Sequence, residues 1–161
     1  MQHKNWIRIS GLMWSLIGGF LLYKGIHLME LAIFGPQAHA SLSHRLGSYV
    51  GGDEKGATAI IALSLLVGFI KGRFVLSKTV HRVCNRIASL SLPISFSQVY
   101  SPVYFLLIGS MILLGVGMRF APIPIDLRGA IDIAVGSALI NGSLLYFRAA
   151  QRFIPVSHTI S

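Results

Sequence analysis

The segment RGAIDIAVGSALINGSLLYFR, residues 128–148, decides the fold of this chain. It is apolar over roughly the 20 residues that a helix needs to cross a ~30 Å hydrocarbon core. Yet Asp132 lies near one end of it, and Asn141 lies further along. Polar side chains in such a segment need partners, so these two residues are the first candidates for a functional site.

The composition of the whole chain indicates that lipid solvates much of its surface. The 161 residues are 53% hydrophobic and 12% charged, with a mean hydropathy of +0.68. A soluble domain carries about 25% charged residues. The net charge of +9 is therefore interpreted first as a membrane topology signal. The single cysteine, Cys84, cannot form a disulfide within the chain.

Four segments are long and apolar enough to span a bilayer, residues 7–28, 57–74, 103–120 and 127–147. Turn-forming sequences separate them, and Asp126 is well placed as the N-cap of the fourth. The first segment has the basic start of a signal peptide, but its apolar stretch ends long before the small residues at 38–40, so we expect it to be retained. These patterns predict an all-α fold, a single integral membrane domain over residues 1–161, built as a four-helix transmembrane bundle.

The basic residues predict the orientation of the bundle. Nine of the 14 Lys and Arg residues fall on the side of both termini, namely Lys4, Arg8, Lys71, Arg73, Lys78, Arg82, Arg86, Arg148 and Arg152. The other side holds Lys24, Arg45, Lys55, Arg119 and Arg128, together with all five acidic residues. The positive-inside rule then places both termini in the cytoplasm, and the expected location is the cell (inner) membrane. The charge indicates contact with anionic lipid and not with nucleic acid.

Residues 76–90 predict an amphipathic basic helix between the second and third spans. Apolar residues recur there at helical spacing, and basic residues occupy another face. The residues expected to contact anionic lipid at the cytoplasmic face are Lys71, Arg73, Lys78, Arg82 and Arg86. The alternative is a docking surface for a partner protein.

Small residues at every fourth position predict which helix faces meet, because close backbone approach drives association in lipid. The predicted packing residues are Gly11, Ser15 and Gly19 in the first helix, Ser64, Gly68 and Gly72 in the second, and Ala130, Ala134, Ala138 and Gly142 in the fourth. We therefore expect these three helices in closest contact and the third at the periphery. The fourth is small on several faces and is expected to be surrounded by protein.

Two interpretations of Asp132 stay open. Arg128 lies four residues earlier on the same helix face, so the two side chains can form an ion pair near the bilayer edge. The alternative is a carboxylate that binds a proton or cation in a vestibule. Asn141 is nine positions further on, about 900° of helix rotation, and so on the opposite face. Lys24 and Arg119 either extend to the outer headgroups or line a pore mouth.

Motifs for catalysis or cofactor binding are not recognisable in the sequence. His27 and Glu30 could share a metal ion with His39 or His44, but no recognised ligand spacing occurs. No nucleophile–base pairing or phosphate-binding glycine loop can be named. We therefore expect no metal, no cofactor and no enzymatic activity.

Two classes of function remain. The first is an oligomeric transporter or channel-like protein that uses Asp132, Asn141, Arg119, Lys24 and Arg128. The second is an accessory, assembly or scaffold protein that binds membrane partner proteins, or a second copy, and anionic lipid. A water-filled cavity shared by Asp132 and Asn141 favours transport, whereas packed or lipid-edge positions favour the accessory role.

The predicted orientation is testable with reporter fusions. A reporter at Ser161 and one within residues 41–52 should give opposite signals, because the nine-to-five bias in basic residues places them on opposite sides of the membrane. The same signal from both fusions would contradict four spans.

Overall fold

The computed structural model describes residues 3–35, 42–77, 80–82, 85, 109, 112–113 and 115–152. Its elements are α1 (His3–Phe34), α2 (Leu42–Val50), α3 (Asp53–Lys71) and α4 (Ile125–Arg152). A π-helical turn, Gly72–Leu76, continues α3, and residues 115–120 are also helical. No strand occurs in the described ranges, so the all-α class is confirmed. Most of the predicted third span and of the predicted interfacial helix lies outside these ranges.

Three helical segments are long and apolar enough to cross a membrane, Asn5–Phe34, Asp53–Phe74 and Ile125–Gln151, which is consistent with an integral membrane protein. Each is longer than the apolar stretch that predicted it. The reason is that the helix ends are polar. Asp53 and Glu54 occupy the first turn of α3, where the helix dipole favours acids, and Lys71 occupies the last.

The helix α2 has no counterpart among the predicted elements. It ends at Val50, and two glycines follow with positive φ, Gly51 at 89° and Gly52 at 138°. Both N–H groups donate to the Gly47 carbonyl, at 2.8 and 2.9 Å, which closes the helix C-terminus. The chain therefore reverses at once into α3. Gly56 of α3 lies directly against the Ser43 carbonyl of α2, so the two helices pack at backbone contact.

The central helix is α4, which packs against α1 along one face and against α3 along another, while α1 and α3 scarcely touch. Helices therefore cover two faces of α4, whereas the expected close contact between the first and second predicted spans, α1 and α3, is slight. At the end of the bundle that holds residue 7, an apolar core forms from Ile7, Trp14, Val80, Leu139, Tyr146 and Ala150. Val80 belongs to the predicted interfacial segment and is buried there, whereas His81 and Arg82 are exposed. That division of faces agrees with an amphipathic segment at this point.

Backbone contact between the antiparallel helices α1 and α4 occurs at two glycine pairs. A Cβ built on Gly18 would lie 2.9 Å from the Gly136 carbonyl oxygen, and one on Gly136 would lie 2.7 Å from that of Gly18. Gly25 and Gly129 face each other in the same way, at 2.8 Å in both directions. We call these four glycines the glycine seam. No larger residue fits at any of them without moving a backbone.

The predicted packing face of α1 is wrong in part. Gly11 does pack against α4, at Tyr146 and Phe147, but Ser15 is only half-buried, and Gly19 is exposed, with no atom of the described part of the chain within 4 Å of a built Cβ. The physical reason is the angle between the helices. Residues seven positions apart differ by only about 20° in direction around the helix axis. Residues four positions apart differ by about 40°, and this difference adds up with each further repeat. Two long helices that stay in contact therefore use a seven-residue spacing.

The packing faces predicted for α3 and α4 do meet. Gly68 lies directly against the Ala134 carbonyl, and a Cβ on Gly72 would lie 2.7 Å from the Ala138 Cα atom. Residue numbers rise together along the two helices, so α3 and α4 run parallel. Ser64 and Gly142 are buried, and Ala130 is half-buried. The four-residue spacing suits this pair because its contact is short.

The glycine seam is tested by two neighbouring substitutions. Gly18→Ala should lower the free energy of unfolding by about 1–3 kcal/mol, because the new methyl group meets a backbone that cannot retreat. Gly19→Ala should be neutral or gain up to about 1 kcal/mol from helix propensity, since its Cβ enters open space. Unfolding in detergent measures both. Equal effects would contradict the assigned face.

Candidate functional site

An ion pair between α1 and α4 lies beside the glycine seam. Lys24 precedes Gly25, and Asp132 follows Gly129 by three residues, so the contact of Gly25 with Gly129 brings both side chains together. The Lys24 Nζ atom lies 2.8 Å from Asp132 Oδ2. The carboxylate side chain is 6% exposed and the lysine side chain 42% exposed. This geometry is that of a close ion pair without an aligned hydrogen bond to Oδ2.

The predicted ion pair between Asp132 and Arg128 is therefore wrong. Arg128 turns away from the helix and donates from Nε to the Ile123 carbonyl at 3.1 Å and from Nη2 to the Ala121 carbonyl at 3.4 Å. Two prolines, Pro122 and Pro124, leave this link without its full set of backbone donors. Carbonyls in the link thus attract the guanidinium, and Arg128 fixes the link that leads into α4.

The prediction that Asp126 is the N-cap of the fourth helix is wrong, because Asp126 is itself the second residue of that helix. The helix begins one residue earlier, at Ile125, and the Asp126 carboxylate is fully buried. Its Oδ2 atom accepts a hydrogen bond from the Ser43 backbone N–H at 2.7 Å, and Oδ1 accepts one from the Leu127 N–H at 2.9 Å. Ser43 lies in the first turn of α2, where backbone donors lack helical partners. One carboxylate thus satisfies donors at the N-termini of two helices.

Polar residues on a different face of α4 bind the backbone of α3. The Asn141 side chain donates from Nδ2 to the Phe69 carbonyl at 2.9 Å, and Ser137 Oγ donates to the Leu65 carbonyl at 3.2 Å. Asn141 is buried. Both residues therefore join helices, and the structure does not bring Asn141 together with Asp132.

A cleft of about 630 Å³ opens between α1, α4 and residues 112–119. Its lining residues include the charged side chains of Lys24, Arg119, Arg128 and Asp132. Its other walls are apolar, among them Trp14, Leu21 and Val116. Three of the four charges are cationic. The cleft therefore combines a positively charged end with a long apolar wall.

The histidines discussed as metal ligands pair with acids. His27 Nδ1 lies 3.5 Å from Glu30 Oε2, and His44 Nδ1 lies 3.0 Å from Asp53 Oδ2. In the part of the chain that the structure describes, no three His, Cys, Asp or Glu side chains form a group that could hold a metal ion. His39 lies outside that part.

Of the residues predicted to contact anionic lipid, Lys71, Arg73 and Arg82 are exposed. Lys78 and Arg86 lie outside the described residues. These three side chains do not pack against the bundle, which leaves them accessible to lipid. Contact with anionic lipid stays a prediction for them.

No known protein family, curated protein or solved structure matches this chain. Its function is therefore inferred from its own residues.

Asp126 is tested by three substitutions. Asp126→Ala should lower the free energy of unfolding by about 1–3 kcal/mol, because the buried Ser43 N–H and the partly buried Leu127 N–H lose their acceptor. Asp126→Asn keeps an acceptor oxygen and should cost less. Glu54→Ala, at an exposed first-turn acid of α3, should stay within about 0.5 kcal/mol.

Amide hydrogen exchange at Ser43 separates this cap from general destabilisation. In Asp126→Ala, the exchange rate should rise more at the first turn of α2 than in α4. The reason is that a first-turn N–H group of α2 depends on an acceptor from another segment. Unchanged exchange at Ser43 would refute the cap.

Proposed function

We propose that this chain is an accessory membrane protein, which holds partner proteins and anionic lipid and does not conduct a solute. The observation that carries the proposal is the use of Asn141 as a donor to the Phe69 carbonyl. A polar side chain near the middle of α4 is the group that a conducting path would need. Here it joins two helices, and its neighbour Ser137 does the same.

The backbone packing of the bundle supports the same proposal. The glycine seam on one side of α4 and the contact of Gly68 with Ala134 on another leave no room for a path between these helices. A path between copies of the protein is a different matter, since it needs polar residues on an outward face. The large outward residues of α3 and of the π-helical turn that continues it are instead apolar, such as Leu66, Phe69 and Phe74. Such a face suits lipid or another membrane helix.

The proposed topology has four spans, with both termini in the cytoplasm of a cell whose inner membrane holds the protein. The parallel direction of α3 and α4 supports it, because the chain must return along the bundle between Ser77 and Ile125. A span over residues 103–120 would supply that return. The basic residues near the ends of α3 and α4, with the segment that follows α3, would then meet anionic lipid and partners at the cytoplasmic face.

One observation favours the transport alternative. Asp132 lines the cleft beside Lys24 and Arg119, so a buried carboxylate lies next to an open space. A proton- or cation-binding role would use this group. The accessory role treats the pair of Lys24 with Asp132 as a link between α1 and α4.

Flux through reconstituted liposomes decides between the two. Wild type and Asp132→Asn should both leave ion and proton flux at the level of empty liposomes, while the substitution lowers stability modestly. The expected loss is about 1–2 kcal/mol, because the paired lysine is still partly solvated. A wild-type flux that vanishes in Asp132→Asn, with thermal stability unchanged, would replace the accessory role by transport.

A further inference from the structure

The cleft has two chemically distinct ends. Close to the start of α4 it is lined by Lys24, Arg119, Arg128 and Asp132. The remaining wall is apolar and includes Trp14, Ile17, Leu21, Ile112, Val116 and Val135. An amphiphile has the same division, with a charged group at one end of a hydrocarbon chain. The cleft volume of about 630 Å³ lies within the range of roughly 300–1,000 Å³ that is typical of small-ligand sites.

The length of the cleft matches one leaflet of a bilayer. Trp14 and Lys24 are ten residues apart on α1, which corresponds to about 15 Å along the helix. A hydrocarbon core of ~30 Å has leaflets of about this depth. Three of the apolar lining residues, Phe20, Ile112 and Val116, are half or more exposed, so the cleft is open along its side. An acyl chain can therefore enter from the surrounding lipid without leaving the membrane.

The charges at the polar end favour an anionic headgroup. Lys24 neutralises Asp132 at 2.8 Å, which leaves the positive charges of Arg119 and Arg128 uncompensated within the cleft. Arg128 is held in place by its bonds to the Ile123 and Ala121 carbonyls. Arg119 is exposed at the end of the short helical segment. A zwitterionic headgroup would bring its own cation toward these two arginines, whereas an anionic one would not.

We propose that this cleft is a binding site for one anionic phospholipid, whose phosphate lies at Arg119 and Arg128 and whose acyl chain lies along α1 as far as Trp14. The lipid comes from the leaflet at this end of the bundle. The proposal is independent of the accessory function and of the predicted orientation, and it differs from the lipid contacts expected at Lys71, Arg73 and Arg82, which lie at the opposite end.

Tryptophan fluorescence can report occupancy, because Trp14 lines the cleft and the chain has 2 tryptophans. Trp6→Phe leaves Trp14 as the sole emitter. This variant is reconstituted in phosphatidylcholine vesicles that contain phosphatidylglycerol or phosphatidylcholine brominated in the acyl chain. Ordinary lipid around the bundle quenches Trp14 equally in both cases. A specific site should be quenched at lower mole fractions by the anionic lipid.

Substitutions at the polar end test the headgroup contact. Arg119→Gln and Arg128→Gln should each lower the preference for the anionic lipid roughly fivefold, the value expected for one charge near a headgroup. Arg148→Gln is the matched control, because Arg148 is exposed and does not line the cleft. It should leave the preference unchanged. Equal losses from Arg119→Gln and Arg148→Gln would overturn the site in favour of a general surface charge effect.

Substitutions in the apolar wall test the acyl chain without changing any charge. Gly115 lines the cleft and Gly117 does not, and a Cβ at either glycine meets no atom of the described residues within 4 Å, so both positions have room for a side chain. Gly115→Phe should fill the cleft and remove the extra quenching by the anionic lipid. Gly117→Phe should retain it. If both variants retain it, the acyl chain does not lie in the cleft.

The remaining arm distinguishes the lipid from a free anion or a protein occupant. Inorganic phosphate, compared with chloride at equal ionic strength, should leave the lipid preference intact, because phosphate has no chain to bind the apolar wall. Loss of the preference in phosphate would mean a simple anion site. Equal quenching of Trp14 by both brominated lipids in the folded Trp6→Phe protein would mean that the cleft is filled by other protein or has no lipid specificity. Either result would overturn the proposal.

Discussion

The contact of Gly18 with Gly136 and of Gly25 with Gly129 is the constraint on which the rest of the bundle depends. Lipid tails are as apolar as leucine, so helices in a bilayer gain little from burying large side chains against each other. What remains is dispersion between closely packed backbones, together with Cα–H···O contacts. At the glycine seam the carbonyl oxygens of each helix lie 2.7–2.9 Å from where a Cβ of the other would be. These contacts therefore fix the register of α1 against α4, because a shift by one residue would separate the paired glycines.

That register determines the polar chemistry at one end of the bundle. With Gly25 against Gly129, Lys24 lies within 2.8 Å of Asp132, and a shift by one turn would leave a buried carboxylate without its cation. Asp126 adds a second constraint, because it joins the first turn of α4 to that of α2 through the Ser43 N–H. The start of α4 is therefore held by α1 and α2 together, and these contacts position the polar end of the cleft beside it.

The sequence predicted the features that depend on one helix at a time. Apolar length identified the spans at α1, α3 and α4, and small residues at every fourth position identified Gly68 and Ala134 as contact residues. The sequence did not predict the features that depend on how two helices pack against each other. The choice between Gly18 and Gly19 depends on the crossing angle, and the partner of Asp132 depends on the register of α1. The nine-residue α2 is too short for a spanning signal, and its capping acceptor lies 83 residues away, at Asp126.

The faces of α4 make different contacts. One carries the glycine seam toward α1, and a second carries Asn141 and Ser137 toward α3, so the polar groups of that face are hydrogen-bonded within the bundle. A third face, with Asp132 and Val135, borders the cleft. Backbone contact closes the interfaces of α4 with α1 and with α3, so a ligand would reach Asp132 from the cleft and not from between these helices.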